Sequence, residues 1–228
     1  MSDGVSGREL LAAIKAGAGA PGPGFVIPVG SPLEAALRPI ATSEKLLNAK
    51  DVQVLTDWRN RFASAFLNEF QATPSQTARW LVDDVRTNPG KILFMADDLN
   101  GNTWGYMGLD FIDWDQGYGE ADAIVRGGTP VPGRTKHALK ALLAWATGQL
   151  GLRELGVRVR SDNPAVEFYR KSGFSEIRRV PLRRVSEAAG ARWIEDPSLQ
   201  AATVHLVHMR WRQEMKQRRV RKEALEDL

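Results

Sequence analysis

Two short turn signals divide the middle of this chain into three strand-like runs, and that division limits the fold more than any other feature. Asp98-Leu99-Asn100-Gly101-Asn102 centres on Asn-Gly, the pair that most readily takes the backbone angles of a tight hairpin. Asp115-Gln116-Gly117 supplies the second turn. The runs they separate, residues 91–96, 103–114 and 118–126, read as strands, so the spacing predicts an antiparallel meander. A Gly/Pro loop over residues 127–133 ends it. An amphipathic helix over 134–150 follows, stopped by Gly151.

The flanks are read the same way. Residues 7–17 are expected to form a short helix. The Gly-, Ala- and Pro-rich stretch after it reads as a linker, which would start the compact domain near Leu33. Residues 36–42 suit a strand. Val54, Leu55, Trp58, Phe62, Phe66 and Leu67 recur at helical spacing, predicting a helix over 51–70. Thr73, with Pro74 behind it, caps a further helix running to 84. Beyond the loop helix come a strand over 155–160 and a short helix over 163–172 closed by Gly173. A strand over 174–184, an irregular stretch and a last strand over 203–211 complete the order. The pattern implies a mixed α+β layer architecture.

Composition removes several function classes. The 228 residues are 43% hydrophobic and 25% charged, ordinary globular usage. Cysteine is absent, which excludes disulfides, thiolate nucleophiles and zinc–thiolate sites. The histidines form neither a metal nor a triad pattern, so no metal is expected. No apolar run approaches the ~20 residues a membrane helix needs. The first twenty residues lack the basic start and apolar stretch of a secretory signal, so a cytoplasmic protein is the expectation. The net charge of +4 is uneven. Arg178, Arg179, Arg183 and Arg184 form one cluster, and residues 210–222 form another. Anionic partners are therefore admitted, a cofactor's phosphates or RNA among them, alongside a plain solvated face.

The loop before the 134–150 helix carries the first chemistry. A helix N-terminus leaves amides unpaired, and with the helix dipole they favour an anion. Gly127, Gly128 and Gly133 would let the backbone approach it, with Arg126, Arg134, Thr135 and Lys136 alongside. Many strand–turn–helix connections with glycine bind nothing. The second motif is more specific. SDNPAVEFYRKSGF, residues 161–174, has Asn163, Val166, Tyr169, Gly173 and Phe174 in the pattern Asn-x-x-Val-x-x-Tyr-x-x-x-Gly-Phe.

That pattern resembles the segment of GNAT-superfamily N-acyltransferases that closes over an acyl-CoA thioester. The loop at 127–135 resembles the superfamily's pyrophosphate segment in a degenerate form, with Pro130, Gly133 and Thr135 in its register. The resemblance covers about residues 36–184 and implies a central, mostly antiparallel, splayed sheet flanked by helices. Its divisions would be a helix and linker at 1–32, the N-acetyltransferase domain at 33–211 and a basic helical tail at 212–228. It implies acetyl-CoA as acyl donor and a primary amine, attacking directly, as acceptor.

The resemblance also implies roles. Tyr169 would protonate the leaving thiolate. Ile124, Val125 and Arg126 would offer backbone groups to pantetheine, with Asn163 and Phe168 on the same side. Asn163 is in any case a good helix cap. The amine must lose a proton to attack, and Glu120 or Asp122, on one strand face, could take it; a polar exposed face is the plainer reading of both. Trp114 could line an acceptor pocket. Residues 54–81, with Trp58-Arg59-Asn60 and Trp80-Leu81, resemble enzymes that acetylate amino-sugar nucleotides, where Arg59 and Asn60 would meet phosphates or hydroxyls. The alternatives are a protein or peptide acceptor, a CoA-binding module without turnover, or a nucleic-acid-associated protein. A homodimer is also admitted.

Overall fold

A computed structural model describes residues 5–212. Ten strands form one sheet: β1 (Ile27–Val29), β2 (Ala35–Pro39), β3 (Asn68–Phe70), β4 (Ile92–Asp98), β5 (Thr103–Asp113), β6 (Tyr118–Arg126), β7 (Glu154–Arg160), β8 (Phe174–Glu187), β9 (Gly190–Glu195) and β10 (His205–Trp211). Their order across the sheet is β1-β2-β4-β5-β6-β7-β10-β8-β9-β3. Every pairing is antiparallel except β6 with β7.

The meander forms as the turns require. Asp98 and Asn102 close the first hairpin through the Asp98 amide on the Asn102 carbonyl, 3.0 Å, and Gly101 takes φ 79°. β4 is buried on both sides, and alternate residues serve two cores. Ile92, Phe94 and Ala96 face α1 (Gly7–Gly17), α4 (Arg134–Gly148) and α5 (Ala165–Lys171). Leu93 and Met95 face α2 (Ala49–Arg61) and the π-helical turn Leu81–Val85 that continues α3 (Pro74–Trp80). Thr73 caps α3 in a capping box with Gln76, as its sequence position suggests.

Three expectations need correction. The segment before residue 33 is not an appendage. Ser6 and Glu9 form a capping box that starts α1. Leu11, Ile14, Ile27 and Val29 then enter the main core, and β1 adds a strand to β2. The helix expected over 51–70 begins earlier, capped by Asn48, and stops at Arg61. Residues 68–70 instead pair with β9, so the Phe66 and Leu67 positions that mimic a helical stripe lie in an extended crossing segment. Finally, residues 185–195 are not irregular: β8 runs on to Glu187 and returns as β9. Nonlocal pairing decided both stretches, and local periodicity does not contain it.

Candidate active site

β6 and β7 are hydrogen-bonded at one end and open at the other. Their parallel register holds only Tyr118 to Glu154, Gly119 to Leu155 and Glu120 to Gly156. From Ala121 onward the edge of β6 turned from β5 has no strand partner among the described residues. A bulge marks the parting. Tyr106 pairs with Val125 and Gly108 with Asp122, so Ala123 and Ile124 oppose Met107 alone. Ala123 takes φ 52°, a left-handed angle that only a fixed surrounding structure imposes on a non-glycine residue. The sheet is thus splayed into two arms, and the wedge between them leaves this edge of β6 without a strand partner.

Four titratable side chains border the wedge. Tyr169 on α5 is 7% exposed, its ring edge-on to Phe168 at 5.4 Å and Phe174 at 5.6 Å. Its hydroxyl has no hydrogen-bond partner among the described residues, and burial pushes its pKa well above the usual tyrosine range, with the Asp122 carboxylate adding to the rise. Asp122 has no cationic side chain at ion-pair distance. Burial raises its pKa, Asp110 and Glu120 raise it further, and the Ala123 amide and Lys91 oppose them. Glu120 differs: its carboxylate accepts from Arg158 Nε at 2.6 Å and from the Tyr118 hydroxyl at 2.8 Å. It therefore pins the closed end of the wedge, and of the two carboxylates expected to share a base role only Asp122 is without an ion pair among the described residues. Tyr106, which the sequence reading did not single out, stacks on Trp58 at 6.2 Å and shows the same burial-driven rise, with its hydroxyl also unpartnered among the described residues. The Trp104-Gly105-Tyr106 run inside the meander was the only signal for it, and such runs are mostly core.

The 127–133 loop works differently from its expected glycine cradle. The Gly127 amide donates to the Trp104 carbonyl at 3.2 Å, and its own carbonyl accepts from Arg61 at 2.9 Å. A Cβ on Gly127 would lie 2.0 Å from the Trp58 ring, and one on Gly128 would lie 2.9 Å from Trp104 Cα. These two glycines permit close packing against tryptophans; they are not held open for a ligand. The unpaired backbone lies instead at the start of α4, where Gly133 takes φ 80° as N-cap with no side-chain cap. The amides of Gly133, Thr135 and Lys136 have no partner among the described residues. Two buried donors beside them, Trp104 Nε1 and Arg134 Nε, also lack one. Arg134 lies over the Trp104 ring at 5.8 Å. Arg126 is exposed at the end of β6, Val125 is buried in the α2-side core, and Ile124 packs at the edge of the other.

Residues 62–70 cross from one arm to the other. At the β6 side Arg61 holds the Gly127 carbonyl. At the β7 side Arg160 Nη1 donates to the carbonyls of Ser64, 2.9 Å, and Phe66, 3.3 Å. Asn163 Nδ2 donates to the Ala65 carbonyl at 3.2 Å, while its Oδ1 accepts from the Ala165 amide in the turn that precedes α5, whose N-cap is Pro164 and not the Asn163 expected. Asn163 therefore spends its amide on the protein. At the far end, Glu69 accepts from Arg160 at 2.9 Å, Trp193 at 2.5 Å and Arg184 at 2.7 Å. Arg184 leads the donors that hold its pKa down at about 2, well below the ordinary 4.5. Asn60 is likewise a clamp, exchanging two bonds with the Ala72 backbone at 2.9 and 2.7 Å. Trp114 donates to the Pro89 carbonyl at 3.2 Å, away from the wedge. Neither matches its expected acceptor role. Arg59 lies between the Phe66 and Phe70 rings, 4.3 and 4.4 Å from their centroids, and donates through Nη2 to the Asn68 carbonyl.

The arginines of β8 are largely neutralised. Arg179 pairs with Glu176, Arg183 with Asp196 and Arg184 with Glu69. Most of the second basic cluster lies outside the described residues. Among those residues no group of three or more His, Asp or Glu side chains could hold a metal, and no helix is long and apolar enough to cross a membrane.

No protein-family model matches the chain, and no curated protein matches it. Solved structures do. A spermidine N-acetyltransferase from Vibrio cholerae, in complex with CoA and spermine, aligns over 77% of this chain and 94% of its own at 18% identity, TM-score 0.59. The dodecameric form of spermidine N-acetyltransferase from the same organism, in an intermediate state, covers 82% and 98% at 17% identity, TM-score 0.57. A GCN5-related N-acetyltransferase from Brucella melitensis covers 82% and 77% at 15% identity, TM-score 0.59. The fold of this chain is that of these N-acetyltransferases: a mixed α/β sheet, mostly antiparallel, splayed between β6 and β7.

Proposed function

We propose that the protein is an acyl-CoA-dependent N-acyltransferase that moves an acetyl group from acetyl-CoA to a primary amine. The observation that carries this reading is the wedge itself, which leads at its open end to a set of unpartnered donors. Trp104 Nε1, Arg134 Nε and the amides of Gly133, Thr135 and Lys136 suit a diphosphate, because buried donors without partners are costly and anions at a helix start relieve them. The free edge of β6 at Ile124, Val125 and Arg126 suits the strand-like pantetheine arm, with Phe168 beside α5.

The donor supplies a thioester whose carbonyl carbon is open to attack. Asp122, with no cation paired to it, is suited to take a proton from the arriving ammonium. The amine nitrogen then bonds to the acyl carbon as the carbon–sulfur bond breaks. The departing thiolate needs a proton, and Tyr169 keeps its own at neutral pH because burial disfavours its anion. The segment 62–70 roofs the Asp122 face, which favours a small acceptor over a protein chain. The amino-sugar-nucleotide expectation rested partly on Asn60, whose side chain is committed to Ala72. The spermine bound by the Vibrio enzyme makes a polyamine a second acceptor to try. Isothermal titration with acetyl-CoA, followed by thiol release on an amine panel, tests the reading. No binding at saturating acetyl-CoA removes it.

A further inference from the structure

Two opposite charges on the roofed face lack ion-pair partners: Asp122, and Arg59, whose guanidinium lies against Phe66, a residue packed on the core that holds Tyr106 and Val125. Tyr106 stacks on Trp58, and Arg59 follows Trp58 on α2. Gly108, two residues beyond Tyr106 on the same strand face, pairs with Asp122. Arg59 makes no ion pair among the described residues. Its Nη2 is used by the Asn68 carbonyl, and its Nη1 is buried with no acceptor. Asp122 makes no ion pair either, whereas Asp110, Glu120 and Asp51 nearby do. A half-buried cation with one sealed, unpartnered nitrogen and a half-buried anion left single are both unfavourable, and one ligand carrying the complementary charges relieves both.

We infer that the acceptor carries an anionic group, a carboxylate or a phosphate, as well as its amine, with Arg59 gripping the anion while the amine faces Asp122. This rests on the N-acyltransferase reading and sharpens its acceptor class. Nη1 is the donor left for such a group, while Nη2 holds the Asn68 carbonyl and fixes the plane of the guanidinium. This anion grip also sets the site apart from one built for a purely cationic polyamine.

The test is a matched acceptor panel on the full-length protein with acetyl-CoA, read as kcat/KM by thiol release. γ-Aminobutyrate is compared with butylamine, O-phosphoethanolamine with ethanolamine, and spermidine is the cationic control. The acidic member of at least one pair is expected to exceed its plain partner by about tenfold or more, because a site built to bind a polar group rejects ligands lacking it. The two pairs separate a carboxylate preference from a phosphate one. Arg59→Met should bring the acidic member down toward its partner, and Arg59→Lys should hold part of the preference. A melting curve and an acetyl-CoA titration on each variant establish that it is folded; if Arg59→Met does not fold, the wild-type panel and Arg59→Lys decide. Equal or better turnover of plain amines or spermidine overturns the inference, as does an equal loss on both members, which would make Arg59 only a staple for the roof. Turnover without the acid preference sinks this inference alone. Failure of acetyl-CoA to bind sinks it together with the enzyme reading.

Discussion

In the proposed reaction, Tyr169 and Asp122 would divide the proton work by environment. Removing the Tyr169 hydroxyl should slow kcat by roughly a hundredfold, the ordinary range for a lost general acid, while acetyl-CoA binds within a few-fold of wild type. Calorimetry beside steady-state kinetics checks this, and undiminished kcat in Tyr169→Phe takes Tyr169 out of the acid role. Asp122 acts only as its carboxylate, so kcat/KM should climb with pH through a pKa above the ordinary aspartate value of 3.8, and Asp122→Asn should lose that limb. Its stability effect runs the other way. A carboxyl whose folded pKa is raised favours the folded state when protonated, and that benefit is lost as pH rises through the folded value. Asp122→Asn should therefore melt higher than wild type at pH 7, with the gain shrinking in acid. Glu69 has the opposite sign: its lowered pKa adds stability above 4.5 that drains away as pH falls toward about 2. Glu69→Gln should cost melting temperature at neutral pH and little near pH 2, and an equal cost at both would deny its ion pairs that role.

Single elements show which local signals could be trusted. The meander, the loop helix and the short helix with Gly173 were legible because each rests on neighbours in sequence: an Asn-Gly turn, a 3.6-residue stripe, a glycine at φ 96° after α5. The crossing segment was not. Its Phe66 and Phe70 stand four residues apart, as helical neighbours do, yet β9 pairs with residues 68–70 and the rings close on Arg59. The site was legible to the same degree. Tyr169 follows from a motif, but the bulge at Ala123 depends on register with β5, and the packing of Gly127 depends on a tryptophan 69 positions earlier. Sequence placed glycine there correctly and could not say whether a ligand or an indole required it. Gly127→Ala makes the distinction. A Cβ 2.0 Å from the Trp58 ring should overpack the site and cost about 1–3 kcal/mol, read as a lower denaturation midpoint without acetyl-CoA present.

Across the whole molecule, α1 and β1 contribute to the main core. Leu11 is 1% exposed, Val29 is wholly buried, and Lys15 donates to the Asn88 carbonyl at 2.7 Å. Leu11→Ala should destabilise the fold by about 2–5 kcal/mol, and removing residues 1–29 should leave a chain that melts without a cooperative transition. Cooperative melting of the truncated chain would show that α1 and β1 only decorate the rest.

The crossing segment joins Gly127 on one arm to Arg160 and Asn163 on the other. A splayed sheet would otherwise be free to hinge where only three residue pairs hold it. With a tie-bar fixed at both ends, the arms keep a set separation before any substrate arrives. In the proposed reaction such a frame would offer a preformed aperture, and the length of the nine residues that roof it would limit how bulky an acyl group it admits.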